Sequence, residues 1–449
     1  MELSNLNNPP KNHDHAHSCV DVDSVSVDHA YKLILGHFQA KKIIELPLIE
    51  LADLVLAKDI FSSFDFPQFN SSAMDGYALK SSDTHGASLS APNYLTVIDD
   101  IHAGHKSKSE VVQGTTVRIT TGAPIPKGAD CIIPFENTDE VTQGINSEIG
   151  ILQEGFPGMY FRPAGESLKN GSLVFKKGQV IGPYEIGVLA ALGFDKAPVY
   201  KKPTIGIFST GDELLKVGEK YEISKIYDSN SPSISTLIRL NGGVVVDLGI
   251  AKDNEEEILE KLSVGKDVDL IVSTAGASKG NYDFIRKILE KKAKIYFSSI
   301  KMKPGKPVVF ASLNLDDKNS VPYLGLPGNS VSAMVVFEEL VRPVILKILG
   351  KTNLTRKSIK AFMEDPIVNF DGRRVYSRVK ITQRENRYYA ALTGPQGSNL
   401  LTSLSMADGF AICSEHQEKI NVGDLVSVKM LKPIEEIENH GFNETKKNN

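Results

Sequence analysis

Cysteine is scarce in this chain. Cys19, Cys131 and Cys413 are scattered along 449 residues; they are odd in number and lack paired zinc-site spacing, which argues against a disulfide framework and for a reducing compartment. Long apolar runs are missing as well. Glu338, Glu339 and Arg342 break the stretch from Val331 to Leu349, and no basic segment leads into an apolar one at the start, so neither a membrane span nor a secretory leader is expected. Neither sign of charge prevails. A net charge of -4 gives no general attraction to nucleic acid or to an anionic membrane, so anions must be bound by local clusters. These absences predict a cytoplasmic protein with neither nucleic acid nor membrane among its partners.

The common nucleotide signatures are absent too. Gly104-His105-Lys106-Ser107 lacks the preceding glycine and the Gly-Lys order of a P-loop. AGASKG at 275 to 280 spaces its glycines four apart, which is not the dinucleotide fingerprint. Ser330-Val331-Ser332 has no G-x-S-x-G around it and is not a nucleophile elbow. No solenoid-type repeat is found.

What the chain does have is the composition of a globular protein, 41% hydrophobic and 24% charged, at a length that calls for two to four domains. Residues 1 to 22 are polar, with Pro9, Pro10, His13, His15 and His17, and read as a disordered arm; a metal site on those histidines is the weaker reading. A first, elongated domain is expected over 23–60 and 155–200. In it Val25 to Phe38 shows helical periodicity, and ELPLIELADLVLAKDIFS, 45 to 62, reads as an extended piece, a helix and an exit strand. Residues 61–154, rich in glycine, proline, serine and short β-prone runs, predict an inserted β domain. An α/β domain follows over 201–350, then a C-terminal β domain over 351–435 and a flexible tail over 436–449. The fold class is α/β plus β, multidomain, with a central parallel α/β sheet.

Four polar motifs lie against apolar, strand-like runs of that block: STGDE (209 to 213), STAGASKGNYD (273 to 283), KPGKP (303 to 307) and GLPGNSVS (325 to 332). IGIF, LIVS and PYLGL have the makeup of buried parallel strands, and loops leaving the carboxyl ends of such strands line the ligand crevice of an open α/β sheet. Helices are expected with Asn230 or Ser231 as cap, over NEEEILEKLSVG, over DFIRKILEKK and, uninterrupted, over VSAMVVFEELVRPVILKIL. Helix starts at glycine-containing turns offer free N–H groups to phosphate or another oxyanion. Carboxylates, lysines and small hydroxyl residues in these loops suit an anionic ligand handled with a metal ion.

A family resemblance emerges from these and further motifs taken in order. SSAMDGYAL (71 to 79), VRITTGAPIPKGAD (117 to 130), FRPAGE (161 to 166), IFSTGDEL (207 to 214), IYDSNSPS (226 to 233), GASKGNYDF (276 to 284), MKPGKPVVF (302 to 310), LGLPGNSVSA (324 to 333) and GPQGSNLL (394 to 401) resemble the molybdopterin molybdenumtransferases, enzymes of the last step of molybdenum cofactor synthesis related to the gephyrin E domain. The resemblance runs from about residue 25 to 430. It implies four domains, an elongated homodimer, and transfer of molybdate to adenylylated molybdopterin with release of AMP, using a divalent cation such as Mg²⁺. The molybdopterin adenylyltransferase and apo-molybdoenzymes are the protein partners it suggests.

Residue by residue, the resemblance makes Asp283, Asp75, Glu213 and Asp228 the catalytic candidates, with Glu213, Asp228 and Asp283 around the cation. Thr121, Ser278, Lys303, Lys306, Pro307, Ser332, Arg378 and Ser398 become the substrate-binding candidates. The chemistry is consistent with those residue types. Cleaving a phosphoanhydride requires that developing phosphate charge be neutralised, and Mg²⁺ takes one or two carboxylates and keeps waters. Blander readings exist for each: an acid such as Asp283 is common in a first helical turn, lysines are usually solvated, and MDGYA and TTGAP are turn sequences. The resemblance also places Asp75 and Thr121 opposite the α/β domain of a second subunit.

Departures from the family pattern fall at Ala275, Lys279, Ser330, Ser167 and Ser299; Ser330 stands where a proline is usual. They keep alternatives open: a degenerate molybdopterin-binding carrier, a scaffold, or a molybdopterin adenylyltransferase sharing the α/β domain.

Overall fold

The structure, a computed structural model, describes residues 24–40, 42–274, 284–315 and 320–439. The expected arm and the residues beyond 439 lie outside that range. Two compact units divide the chain, one drawn from residues 1–42 and 200–449, the other from 43–199.

In the first unit, helix α1 (Val27–Gly36) begins at Ser26, whose Oγ accepts the His29 N–H, and buries Val27, Ala30, Ile34 and Leu35. The α/β part then runs β1 (Thr204–Thr210), α2 (Asn230–Leu240), β2 (Val244–Ala251), α3 (Glu255–Val264), β3 (Leu270–Thr274), α4 (Phe284–Lys292), β4 (Ala293–Phe297), β5 (Val309–Asn314), β6 (Ser320–Leu326), α5 (Ser330–Val336) and α6 (Arg342–Ile348). Strand order across the sheet is β2-β1-β3-β6-β5-β4. The first four strands are parallel. β3 is buried at every position, as a strand covered by helices on both faces must be. Phe208, Ile271 and Tyr323 of the sheet pack with Ile258 and Leu262 of α3 and Ile285, Ile288 and Leu289 of α4.

The sheet is parallel except at its far side, where β5 pairs antiparallel with both β6 and β4. Only residues 315–319 connect β5 to β6, far short of the dozen that a parallel crossover needs. The helix expected without interruption over 331–349 also differs. A π-helical turn at Phe337–Val341 separates α5 from α6, because Pro343 has no N–H to donate and its ring crowds the carbonyl four residues back.

The unit continues with β7 (Ser358–Met363), β8 (Arg374–Arg384), β9 (Arg387–Leu392), β10 (Gly409–Cys413) and β11 (Leu425–Met430). Pairing in the order β8-β9-β7-β11-β10 returns to β8, so the strands close into a small barrel filled by residues such as Met363, Val379, Ile381, Ala390 and Val428. Met302–Lys303 joins β8 at Arg374–Val375. Residues 438–439, expected in the flexible tail, instead pair with Thr382 and Gln383. β10 covers its edge of β8 only from Val375 to Val379, which leaves backbone groups farther along that edge for the extra strand.

The 43–199 unit carries a five-stranded sheet in the order Cys131–Pro134, Gly76–Leu79, Thr115–Ile119, Asn93–Ile101, Glu148–Ile151. The helix expected within 45–62 is only a 3₁₀ turn at Leu48–Glu50. Asp53 has a positive φ, and Val55 and Leu56 form bridges with Val180 and Val199, so cross-chain pairing prevails over local helical periodicity. Among the described residues no helix is long and apolar enough to cross a membrane.

Candidate functional site

The carboxyl ends of β1, β3 and β6 open onto a cavity of about 790 Å³ in the first unit, with Thr210, Thr274 and Pro327 at the strand ends. The switch-point rule places ligands here. Glu213, Asp228, Lys303, Lys306, Pro307, Ser332, Arg378 and Ser398 all line it. Ser278 and Asp283 lie outside the described residues. Asp75 and Thr121 belong to the 43–199 unit, where the Thr121 N–H and hydroxyl both donate to Asp75 Oδ1, at 2.6 and 2.8 Å. The backbone bond first and the hydroxyl second hold the Asp75 carboxyl below its ordinary value.

Arg378, on β8, is fully buried. Its Nε donates to Ser403 Oγ at 3.0 Å and its Nη2 to the carbonyls of Gly397 and Pro395, at 3.0 and 3.3 Å, while Gln396 Oε1 accepts the Arg378 backbone N–H at 2.8 Å. The segment GPQGSN is therefore a cradle for this guanidinium. All these partners are neutral, and burial pushes the Arg378 guanidinium down from its ordinary value. A buried cation without a carboxylate is costly unless an anion joins it.

The lysine loop is fixed at both ends, the Lys306 carbonyl accepting the Ile300 N–H at 3.0 Å. Lys303 pairs in register with Val375, and its Nζ lies 3.6 Å from Asp371 Oδ2. Gly305 has φ 110°, and a Cβ there would stand 2.6 Å from Val336 Cγ2, so only glycine fits between Lys303 and Lys306.

Asp228 is buried and caps helix α2. Its Oδ1 accepts the N–H groups of Asn230 and Ser231, each at 3.0 Å, and its Oδ2 accepts the Ser231 hydroxyl at 2.5 Å. This corrects the expected cap: the carboxylate two residues ahead of Asn230 satisfies the free N–H groups, and Ser229 precedes the helix without a side-chain cap bond. Ser231 Oγ continues to Ser209 Oγ at 2.8 Å, and Ser209 Oγ to Thr274 Oγ1 at 2.7 Å. Asn230 Nδ2 donates to the Gly328 carbonyl at 2.8 Å, while its Oδ1 is buried without a partner.

Glu213 is exposed and its carboxylate folds back over Gly211, with Oε2 2.5 Å from where a Cβ on that residue would stand. Among the described residues no three His, Cys, Asp or Glu side chains gather closely enough to hold a metal ion, and the expected trio has two described members, Glu213 and Asp228. Glu213 retains acceptor capacity, while Asp228 is largely committed to its helix; an ion bound mainly through water fits such a pair better than one demanding a full protein cage.

Sequence reasoning missed Ser209, Thr274 and Gln396 as site residues and read Asn230 only as a cap. Ser209 and Thr274 sit within quoted motifs at strand ends, a positional signal that their ordinary hydroxyls concealed.

With this geometry in hand, residues 25–193 match the MoeA N-terminal region (domain I and II). Residues 206–347 match a probable molybdopterin binding domain, and 360–431 the MoeA C-terminal region (domain IV). The chain is 32% identical over 387 residues to a molybdopterin molybdenumtransferase of Haemophilus influenzae, covering 86% of this chain and 93% of that one. The chain belongs to the molybdopterin molybdenumtransferase family. Another relative, molybdopterin molybdenumtransferase 2 of Mycobacterium tuberculosis, is 31% identical over 412 residues, covering 90% of this chain and 98% of that one. A crystal structure of the molybdopterin biosynthesis MoeA protein of Pyrococcus horikoshii superposes with a TM-score of 0.79 at 29% identity, covering 91% of this chain and 100% of that one. The multidomain fold of this molybdopterin molybdenumtransferase family member, with its α/β domain and C-terminal barrel, agrees with that likeness.

Proposed function

We propose that this chain is a transferase of molybdenum cofactor synthesis that takes adenylylated molybdopterin and molybdate, moves molybdenum to the dithiolene, and releases AMP. The observation that carries the reading is Arg378, a buried guanidinium with neutral partners only, lining one cavity with Lys303 and Lys306. A tetrahedral dianion would complete that set of donors. Ser332 and Ser398 add hydroxyls, and Pro307 fixes the backbone after Lys306.

Glu213 and Asp228 would hold a divalent cation, with Asp283 as a third acid. When bound, that cation neutralises charge developing on the phosphoanhydride. The chain's own residues orient the reactants: the lysine loop sets the oxyanion, and the Asp228-capped start of α2 fixes one border of the cavity. We further propose a cytoplasmic homodimer in which Asp75 and Thr121 serve the site of the second subunit, with the molybdopterin adenylyltransferase as supplier and apo-molybdoenzymes as recipients.

The test is incubation of the purified protein with adenylylated molybdopterin, Mg²⁺ and molybdate, measuring AMP release and reconstitution of an apo-molybdoenzyme. Molybdate-dependent AMP release with reconstitution is the expected result. Tight binding with no AMP released would make the protein a carrier instead.

A further inference from the structure

Four cations, Lys303, Lys306, Arg373 and Arg378, line the cavity, and two of them share one carboxylate oxygen. Asp371 Oδ2 lies 3.6 Å from Lys303 Nζ and accepts a hydrogen bond from Arg373 Nη2. Among the described residues no other carboxylate pairs with either cation. The neighbouring Arg374 is held instead by two carboxylates, Asp28 and Glu415, each through two bonds of 2.8 to 2.9 Å. The Arg373 guanidinium first, and Lys303 after it, hold the Asp371 carboxyl below its ordinary value, so it is ionised at neutral pH. The turn that bears Asp371 is pinned at its base: buried Asn369 donates to the carbonyls of Arg373, Ser414 and Gln417, at 2.9, 3.1 and 3.1 Å, and Gly372 turns the chain at a φ of 63°. Its tip is open to water, with the Lys303 and Asp371 side chains 47% and 36% exposed.

We infer that Asp371 is a counter-ion that competes with the ligand: it neutralises Lys303 and Arg373 while the cavity is empty, and both cations pass from its carboxylate to the oxyanion when a tetrahedral dianion binds. The exchange follows from reach and charge. Lys303 and Arg373 line the cavity on long side chains, whereas Asp371 stands outside the lining, so the cations move and the carboxylate stays. A carboxylate offers one negative charge and a tetrahedral dianion two, and an ion pair this open to water is weak enough to break. Arg378 takes no part in the exchange, because its own partners are neutral. Asp371 therefore lowers the affinity of the cavity for oxyanions, and takes two of the four cations back as the anion leaves.

The identity of the oxyanion rests on the proposed function; the competition needs only that the cavity binds a tetrahedral dianion. Calorimetric titration of the full chain with molybdate, and separately with sulfate, tests it on the wild type, Asp371→Asn and Asp371→Glu. Asp371→Asn is expected to bind both anions about three- to tenfold more tightly, the scale of two partly exposed ion pairs, with the gain shrinking as sodium chloride is raised. Asp371→Glu keeps the carboxylate and is expected to stay within about twofold of the wild type, with all three unfolding at similar temperatures. A carboxylate that merely held Arg373 in place for the ligand would give the opposite sign, so weaker or unchanged binding by Asp371→Asn would overturn the inference. Absence of binding by all three would overturn it as well. Molybdate-dependent AMP release decides the proposed function separately: tighter anion binding by Asp371→Asn, with no AMP released by the wild type, keeps the competition and removes the transferase reading.

Discussion

Ser330 Oγ lies 2.9 Å from Ser229 Oγ, so the residue that begins α5 is tied to the one that precedes α2. A proline at this position could not make this bond. A neutral hydrogen bond contributes about 0.5–1.5 kcal/mol, whereas proline at a compatible position gains about 0.4–1 kcal/mol by restricting the unfolded chain. Ser330→Ala should therefore lower stability by about 1 kcal/mol, and Ser330→Pro should leave it nearly unchanged. Urea unfolding of the two variants beside wild type checks the pair.

Arg378→Lys should be nearly as damaging as Arg378→Ala. A lysine ammonium lacks the planar fork that reaches Ser403 and the carbonyls of Pro395 and Gly397 together. Both variants should cut molybdate-dependent AMP release at least about a hundredfold, in the range set by losing a preorganised donor. Activity of Arg378→Lys within a few-fold of wild type would remove Arg378 from the anion site.

Gly305→Ala puts a methyl group 2.6 Å from Val336 Cγ2 at a φ of 110°. Backbone strain of this kind costs about 1–3 kcal/mol, and the loop that holds Lys303 and Lys306 would shift to relieve it. Weaker molybdate binding together with a lower unfolding midpoint is expected; calorimetry reads both.

Glu338 is buried and bonds Arg356 through both oxygens, at 2.7 and 2.9 Å. Removing one member of a buried pair costs about 3–5 kcal/mol because the other charge is stranded. Glu338→Ala should destabilise the first unit on that scale, and Glu338→Gln by less. Denaturant midpoints with unchanged slopes would establish the difference.

Asp75 supplies a pH prediction. Its folded-state pKa is depressed, by the Thr121 N–H first and the hydroxyl second, so its contribution to stability is complete above the ordinary carboxylate range and disappears as the pH falls through the folded value. Thr121→Val removes only the hydroxyl bond, and should raise the Asp75 pKa part of the way toward normal. Carboxyl-carbon NMR titration measures this directly; an unmoved value would mean the hydroxyl contributes nothing.

Much of the site was legible because it is local. STGDE, KPGKP and GLPGNSVS each sit at a strand end or a tight loop, where residue type and position in the chain already indicate the cavity. Glu213 and Lys303 lie in such motifs, whereas Arg378 was assigned only through the family resemblance, and the cavity contains all three. The parts that escaped notice depend on contacts between distant residues. Nothing near Ser209 signals that it will meet Thr274, 65 residues away, and no local pattern shows that Val55 and Leu56 will bridge Val180 and Val199 rather than coil into a helix. The antiparallel hairpin of β5 and β6 could have been read from the short connection between them, had those strands been recognised in VVF and PYLGL together.

Residues 302–303 leave the α/β sheet region and pair with β8 of the barrel, and the consequence is mechanical. The loop bearing Lys303 and Lys306 is spliced to the barrel that carries Arg373 and Arg378, while Glu213 and Asp228 hang from the strand ends of the α/β sheet. Positive and negative charge in the cavity thus rest on different sheets of one compact unit. A small tilt between sheet and barrel would act as a caliper, changing the separation between the two charges without disturbing the spacing within either set.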